Sequence, residues 1–208
     1  ARSRKRALAD REEATESRAS PKGRLRVSAP MTFGLHYLAE ILPDFLTAYP
    51  EIELDLSLED RAVDLVGEGF DATLRVRTLD DSSLVARKLA PVRMHVVATP
   101  DYWRRHGVPK TPEDLQHHDC FTYANMPDSS VWRFARKDGE TRRVRVRSRL
   151  AYNNADVIAS ALCAGLGVCW HPDFICWRDL RDGRLESVLD DWCAQEMWLH
   201  LLTPSSKG

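Results

Sequence analysis

No stretch of this chain approaches the roughly 18 consecutive apolar residues of a membrane-crossing helix. The N-terminus has no apolar core of the kind a secretory signal carries. There is no Gly-rich phosphate loop and no G-x-S-x-G nucleophile elbow. Repeats and low-complexity segments are missing too. An excess of one charge is also lacking: 30 Lys plus Arg stand against 31 Asp plus Glu, for a formal net charge of −1. So even a balance, taken over the whole chain, argues against a nucleic-acid or membrane-surface binder. Cysteines number five, an odd count with no zinc-ligand spacing. That favours reduced thiols and a cytoplasmic setting over a disulfide framework.

What the chain has is 208 residues, 43% hydrophobic and 29% charged, enough to bury a sizeable core in one or two domains. Its charge is uneven. Residues 1–26 hold nine basic groups against four acidic ones, an excess of +5. This stretch has too few apolar positions to bury a face, so it reads either as the stub of a connecting helix or as a nucleic-acid tail. A second cluster, Arg142, Arg143, Arg145, Arg147 and Arg149, alternates in part with Val144 and Val146. Period-two alternation marks a half-buried strand, with valines inward and arginines in solvent.

The first third of the chain reads strand–helix–strand–helix–strand. The strands fall at 24–29, 52–58 and 72–76. Helices are expected over 35–49, kinked at Pro43, and over 62–68, with Gly69 as C-cap. This order argues for an α/β layer with parallel strands. Further on, 84–98 is extended with a break at Pro91, and 101–106 and 112–116 are short helices. Strands are expected at 121–123, 131–134, 141–150, 168–170, 185–189 and 196–202. Helices are expected at 156–164 and 174–180.

Several ordered pieces carry a resemblance. They are Gly23-Arg24-Leu25-Arg26-Val27-Ser28-Ala29-Pro30, then Leu42-Pro43-Asp44-Phe45-Leu46 through Tyr49-Pro50. Asp64-Leu65-Val66, Gly69-Phe70-Asp71 with Arg75, and Asp81-Ser82-Ser83-Leu84-Val85-Ala86-Arg87 follow. Later come Ala98-Thr99-Pro100-Asp101-Tyr102, Pro112-Glu113-Asp114-Leu115 with His118 and Cys120, and Asn153-Asn154. Ala164-Gly165-Leu166-Gly167-Val168 and Pro172-Asp173-Phe174 close the series. In order and spacing, residues 23–204 resemble the effector-binding domain of LysR-type transcriptional regulators.

The resemblance implies an α/β, two-lobed periplasmic-binding-protein-like fold of the type with two crossover strands. Lobe one would take 23–90 plus 195–208, and lobe two 91–194. The crossovers would fall near 89–96 and 196–202, and residues 1–22 would be the remnant of a linker. The family's winged helix-turn-helix has no counterpart in these residues, so DNA binding would belong to a missing N-terminal domain. The implied partners are a small anionic effector and a second copy in a homodimer or homotetramer, with no membrane. Helices 35–49 and 156–164 are the candidate surfaces between copies.

An effector between the lobes would meet the turn Ser28, Pro30, Met31, Thr32 and Phe33. Free N–H groups at a helix start suit an anion there, although Ser28 or Thr32 could serve as a plain N-cap. Arg75, at the end of the third strand, could fork a carboxylate, or pair with Asp71 or Glu59. Arg77 stands where relatives usually have Gly. Lobe two would add Thr99, Tyr123, Asn125, Asn154, Trp170 and His171. Asn154 could equally cap a helix, Trp170 could be core packing, and His171 stands where relatives usually have Leu.

No cofactor or metal is expected. His117-His118-Asp119-Cys120 lacks a second ligand cluster, and adjacent histidines on one strand point apart. Cys169 and His171 share a strand face, but sit about 7 Å apart along it, too far for a nucleophile pair. A two-lobed solute-binding protein or a related enzyme is the alternative reading. The absent signal peptide and the absent catalytic constellation weigh against them.

Overall fold

Apolar and charged residues alternate from Leu25 to Val27, and this segment forms strand β1 (Gly23–Ala29). The computed structural model describes residues 20–61, 64–77, 84–194 and 197–204. The basic arm over 1–19 therefore lies outside the described residues. Strand β1 pairs in parallel with β2 (Ile52–Leu58) and β3 (Ala72–Arg77). Strand β12 (Met197–Pro204) adds antiparallel to β3, and β4 (Leu84–Val92) closes that edge. The first sheet thus has the order β2-β1-β3-β12-β4.

Helix α1 (31–48) crosses this sheet. It begins as an α-helical turn at Met31–Phe33, widens to a π-helical turn over Gly34–Leu38 and continues as α-helix over Ala39–Ala48. The turn expected over 28–34 is therefore strand through Ala29 and helical from Met31. Gly34 is needed for the close approach: a Cβ there would collide with the Leu58 side chain. Pro43 lies inside the helix without ending it. Phe33 and Leu38 pack on Ala29, Leu74 and Leu199. The expected helix over 62–68 is not seen in its described part, where 65–69 form turns. Gly69 closes them at φ +71°, the left-handed region a glycine tolerates.

The chain leaves the first sheet at Arg93, between β4 and β5 (Met94–Ala98). The break falls there and not at Pro91, because β4 is an edge strand, where a missing N–H breaks no ladder bond. Helix α2 (Pro100–His106) and a 3-10 turn (Pro112–His117) follow. Strand β6 (Asp119–Tyr123) leads to a hairpin of β7 (Val131–Ala135) and β8 (Thr141–Arg145). The expected single strand over 141–150 is two: Val146 separates β8 from β9 (Arg147–Tyr152), and they join different sheets. Val144 and Val146 are buried and the arginines exposed, as the alternation predicts.

Helix α3 (Ala155–Cys163), strand β10 (Val168–Pro172), helix α4 (Asp173–Arg181) and strand β11 (Glu186–Val188) complete the second sheet, order β11-β5-β10-β6-β9. One face carries Tyr102, Trp103, Leu115, Trp132 and Phe134. The other carries Ile158, Leu162, Cys176 and Leu185 from α3, α4 and the segment beyond. A parallel-stranded core, two sheets and helices against their faces make the expected α/β two-lobed architecture. The cysteines are free thiols, with Cys163, Cys169 and Cys176 on α3, β10 and α4.

Candidate functional site

A cavity of about 450 Å³ opens between the two sheets. That lies in the range of small-molecule sites. It sits where the parallel strands of each sheet end, the position at which open α/β sheets hold ligands. Thr73, Arg75 and Arg77 alternate on one face of β3, so all three reach the same wall. From the second sheet, Tyr123 ends β6 and Asn125 follows it, and Trp170 and His171 lie near the end of β10.

Of the thirteen residues expected at an effector site, Pro30, Thr32, Arg75, Arg77, Tyr123, Asn125, Trp170 and His171 line the cavity. Ser28, Met31, Phe33, Thr99 and Asn154 do not. Ser28 is fully buried and accepts a hydrogen bond from Arg75 Nη2 at 2.7 Å. Phe33 stacks on Tyr37 and meets Phe174 edge-on. Thr99 caps α2, accepting from the Tyr102 N–H at 3.1 Å, and Asn154 caps α3 through the Asp156 N–H at 3.0 Å. Both are N-cap residues here, as their types favour.

The helix start at Met31 is already supplied with acids from the chain itself. The Met31 N–H donates to Asp60 Oδ1 at 2.9 Å. The Thr32 hydroxyl donates to Asp156 Oδ2 at 2.9 Å, and His36 Nε2 lies 2.7 Å from Asp156 Oδ1. Thus Asp156, at the head of α3, ties the second sheet's layer to α1. Beside it, Trp177 Nε1 donates to the Tyr37 hydroxyl, which donates to the Phe174 carbonyl.

Arg75 is not paired with Asp71 or Glu59 by hydrogen bonds. Its guanidinium donates to Ser28 Oγ and to the Leu74 carbonyl, both at 2.7 Å, while Asp71 accepts from the Arg26 N–H. Burial pushes its pKa down, and the Glu59 and Asp60 carboxylates oppose that shift. Tyr123 is pushed up by burial. His171 is buried against the Tyr152 hydroxyl at 2.8 Å, and burial lowers its pKa to about 4, so the ring is neutral near pH 7. Trp170 serves both uses: it packs against Trp132 and Phe134, and it also faces the cavity.

Glu59, Asp60, Arg61 and Tyr152 also line the wall, as do apolar Met94, Ile175 and Met197. None of these is among the thirteen expected residues. For residues 59–61 a signal was available: they follow β2, parallel to β1, so they end at the same edge as the turn after Ala29. Arg61 is held by Glu59 at 2.6 Å and by Glu68 at 2.5 Å. His118 turns out to be a packing residue against Tyr102 and Trp103. No group of three or more metal-ligand side chains is found among the described residues.

Residues 18–208 match the LysR substrate binding domain. The chain belongs to that family. It is 33% identical over 193 residues to an uncharacterized HTH-type transcriptional regulator of Haemophilus influenzae, covering 93% of this chain and 67% of the relative. The regulatory domain of AphB from Vibrio vulnificus superposes with a TM-score of 0.75 at 31% identity, covering 88% of this chain and 91% of that one. The CrgA regulatory domain, from a LysR-type transcriptional regulator of Neisseria meningitidis, gives 0.74 at 27% identity, with 89% and 90% covered. The LysR-type domain described here spans about half to two thirds of the length of the curated relatives it matches. No helix among its described residues is long and apolar enough to cross a membrane.

Proposed function

We propose that this LysR-type domain senses a small organic acid in the cavity between its sheets, and that the whole protein uses the signal to regulate transcription. The observation that carries this is the cavity itself, with Arg75 and Arg77 on one wall and Tyr123 and Asn125 opposite. The reading treats residues 23–90 with 195–208 as one lobe and 91–194 as the other. Ligand bridging the lobes favours one lobe angle over another, by as much as its affinities for the two states differ. DNA contact belongs to a helix-turn-helix segment elsewhere in the protein, a reading supported by the names of the relatives. No catalytic role is assigned, and the setting is the cytoplasm, in keeping with five free thiols.

We further propose a homodimer or homotetramer. Leu35, Ile41 and Leu46 on α1, and Val157 on α3, are exposed apolar side chains. In the test of the sensing role, a chemically diverse library is screened against the 208-residue chain by thermal shift. Ligands that raise the melting temperature should lose that effect in Met126→Trp, which adds bulk at Met126, an exposed residue of the cavity lining. Stabilisation untouched by this substitution would place binding elsewhere.

A further inference from the structure

Arg77 is a cavity-wall cation with nothing to hold. Its Nε and Nη2 atoms are shielded from solvent and have no hydrogen-bond partner. These two atoms form the side-on edge of the guanidinium, whose parallel N–H groups match the two oxygens of a carboxylate. Buried donors without acceptors are costly and rare, and each calls for an explanation. The other guanidinium groups on the wall are engaged: Arg75 by Ser28 and Leu74, and Arg61 by Glu59 and Glu68. Arg77 can therefore turn its free edge to the cavity without breaking a hydrogen bond. Nearby in the same sheet His200 is fully buried, and neither of its ring nitrogens has a partner.

The rest of the wall is of a different character. Met94, Trp170, Ile175 and Met197 offer apolar surface. The turn at Thr32 is no rival for an anion, because Asp156 already fills it with a carboxylate. We propose that the cavity takes an apolar monocarboxylate, an aromatic or alicyclic acid. Its carboxylate is forked by Arg77, and its ring lies against Met94, Trp170 and Met197. This deepens the sensing role proposed above and rests on it. It makes Arg77, rather than the helix start, the residue that selects for charge.

The test uses the 208-residue chain and calorimetric titration with 2-naphthoate and 3-phenylpropionate, each beside its neutral amide and an amine of the same skeleton. The acids should bind at least tenfold more tightly than the amides. Arg77→Gln should erase that preference, and Arg77→Lys, which keeps the charge and loses the fork, should fall between. A readout without ligand is the melting temperature of Arg77→Met. Removing two unpaired buried donors should raise it by roughly 2–4 °C, the shift of about 1 kcal/mol in a chain of this size. Acid binding that survives Arg77→Gln, amides that equal the acids, or an Arg77→Met chain that melts lower would each overturn the proposal. If neither acid binds while neutral or cationic compounds from the library occupy the cavity, the carboxylate reading falls and only the sensing of a small molecule by the cavity stands. If no compound of any class depends on the cavity, both fall.

Discussion

His171 carries the clearest consequence of burial on a single residue. Its pKa falls from 6.5 to about 4 because the low-dielectric interior disfavours the charged ring. The folded state therefore binds fewer protons than the unfolded one between those values. The stability it contributes is fully present above about pH 6.5, and is lost as pH falls through 4. At about 1.4 kcal/mol per unit, the loss approaches about 3 kcal/mol. His118 and His200 are lowered by burial as well and act in the same direction. Urea unfolding between pH 7.5 and 4.5 should show a steep decline in the wild type and a shallower one in His171→Leu. Equal slopes would mean that the ring is not buried as described. Gly167 gives a second residue-scale expectation. A Cβ there would stand 2.8 Å from the Asp119 carbonyl oxygen and 2.6 Å from Phe121 Cε1, so backbone must shift. Gly167→Ala should cost about 1–3 kcal/mol, the usual penalty of overpacking, read from the denaturant midpoint.

Among the elements, α1 and the heads of α3 and α4 are joined by side chains far apart in sequence. Asp156 accepts from Thr32 and meets His36, and Tyr37 links Phe174 and Trp177. Asp156 is about a third exposed, so its ion pair with His36 is worth little, and the buried Thr32 hydroxyl matters more. Asp156→Ala should cost about 1 kcal/mol. It should also raise amide hydrogen exchange at both helix heads while leaving β1 protected. Exchange unchanged at the head of α1 would show that the link is incidental. Such a link is the kind of feature a sequence hides. Alternation at Leu25–Val27 and Ile52–Leu58, and the Asn154 cap, are local signals, and they located β1, β2 and the start of α3. The place of Arg75 on the cavity wall was legible from its strand end. Its partners were not, because Ser28 comes from another strand and the carboxylates near it follow a third. Composition alone suggests a helix over 62–68, whereas Gly67 and Gly69 close tight turns instead.

For the whole molecule, the proposed assembly draws on exposed apolar side chains of α1 and α3. Leu35 and Ile41 are each more than half exposed, at 51% and 57%, and Val157 on α3 reaches 74%. Single exposed apolar residues are ordinary. Several on two helices, one on each proposed lobe, suit a face shared by two copies in which α1 of one chain meets α3 of its partner. A two-fold pairing of that kind presents each interaction twice, so one substitution acts at two places. Ile41→Glu should change the stability of the single chain by no more than about 0.5 kcal/mol, since the position is solvent-facing. In the assembly it places two unpaired carboxylates in an apolar interface, and disrupting a central anchor of that kind costs about 2 kcal/mol or more. Sedimentation velocity should therefore show the 208-residue chain associating with rising concentration, and Ile41→Glu remaining monomeric at concentrations at least tenfold higher. Arg104→Glu, on a helix away from this face, should associate as the wild type does. Should Ile41→Glu and the wild type sediment alike, the face of α1 is not the interface, and the lobe-to-lobe pairing fails with it.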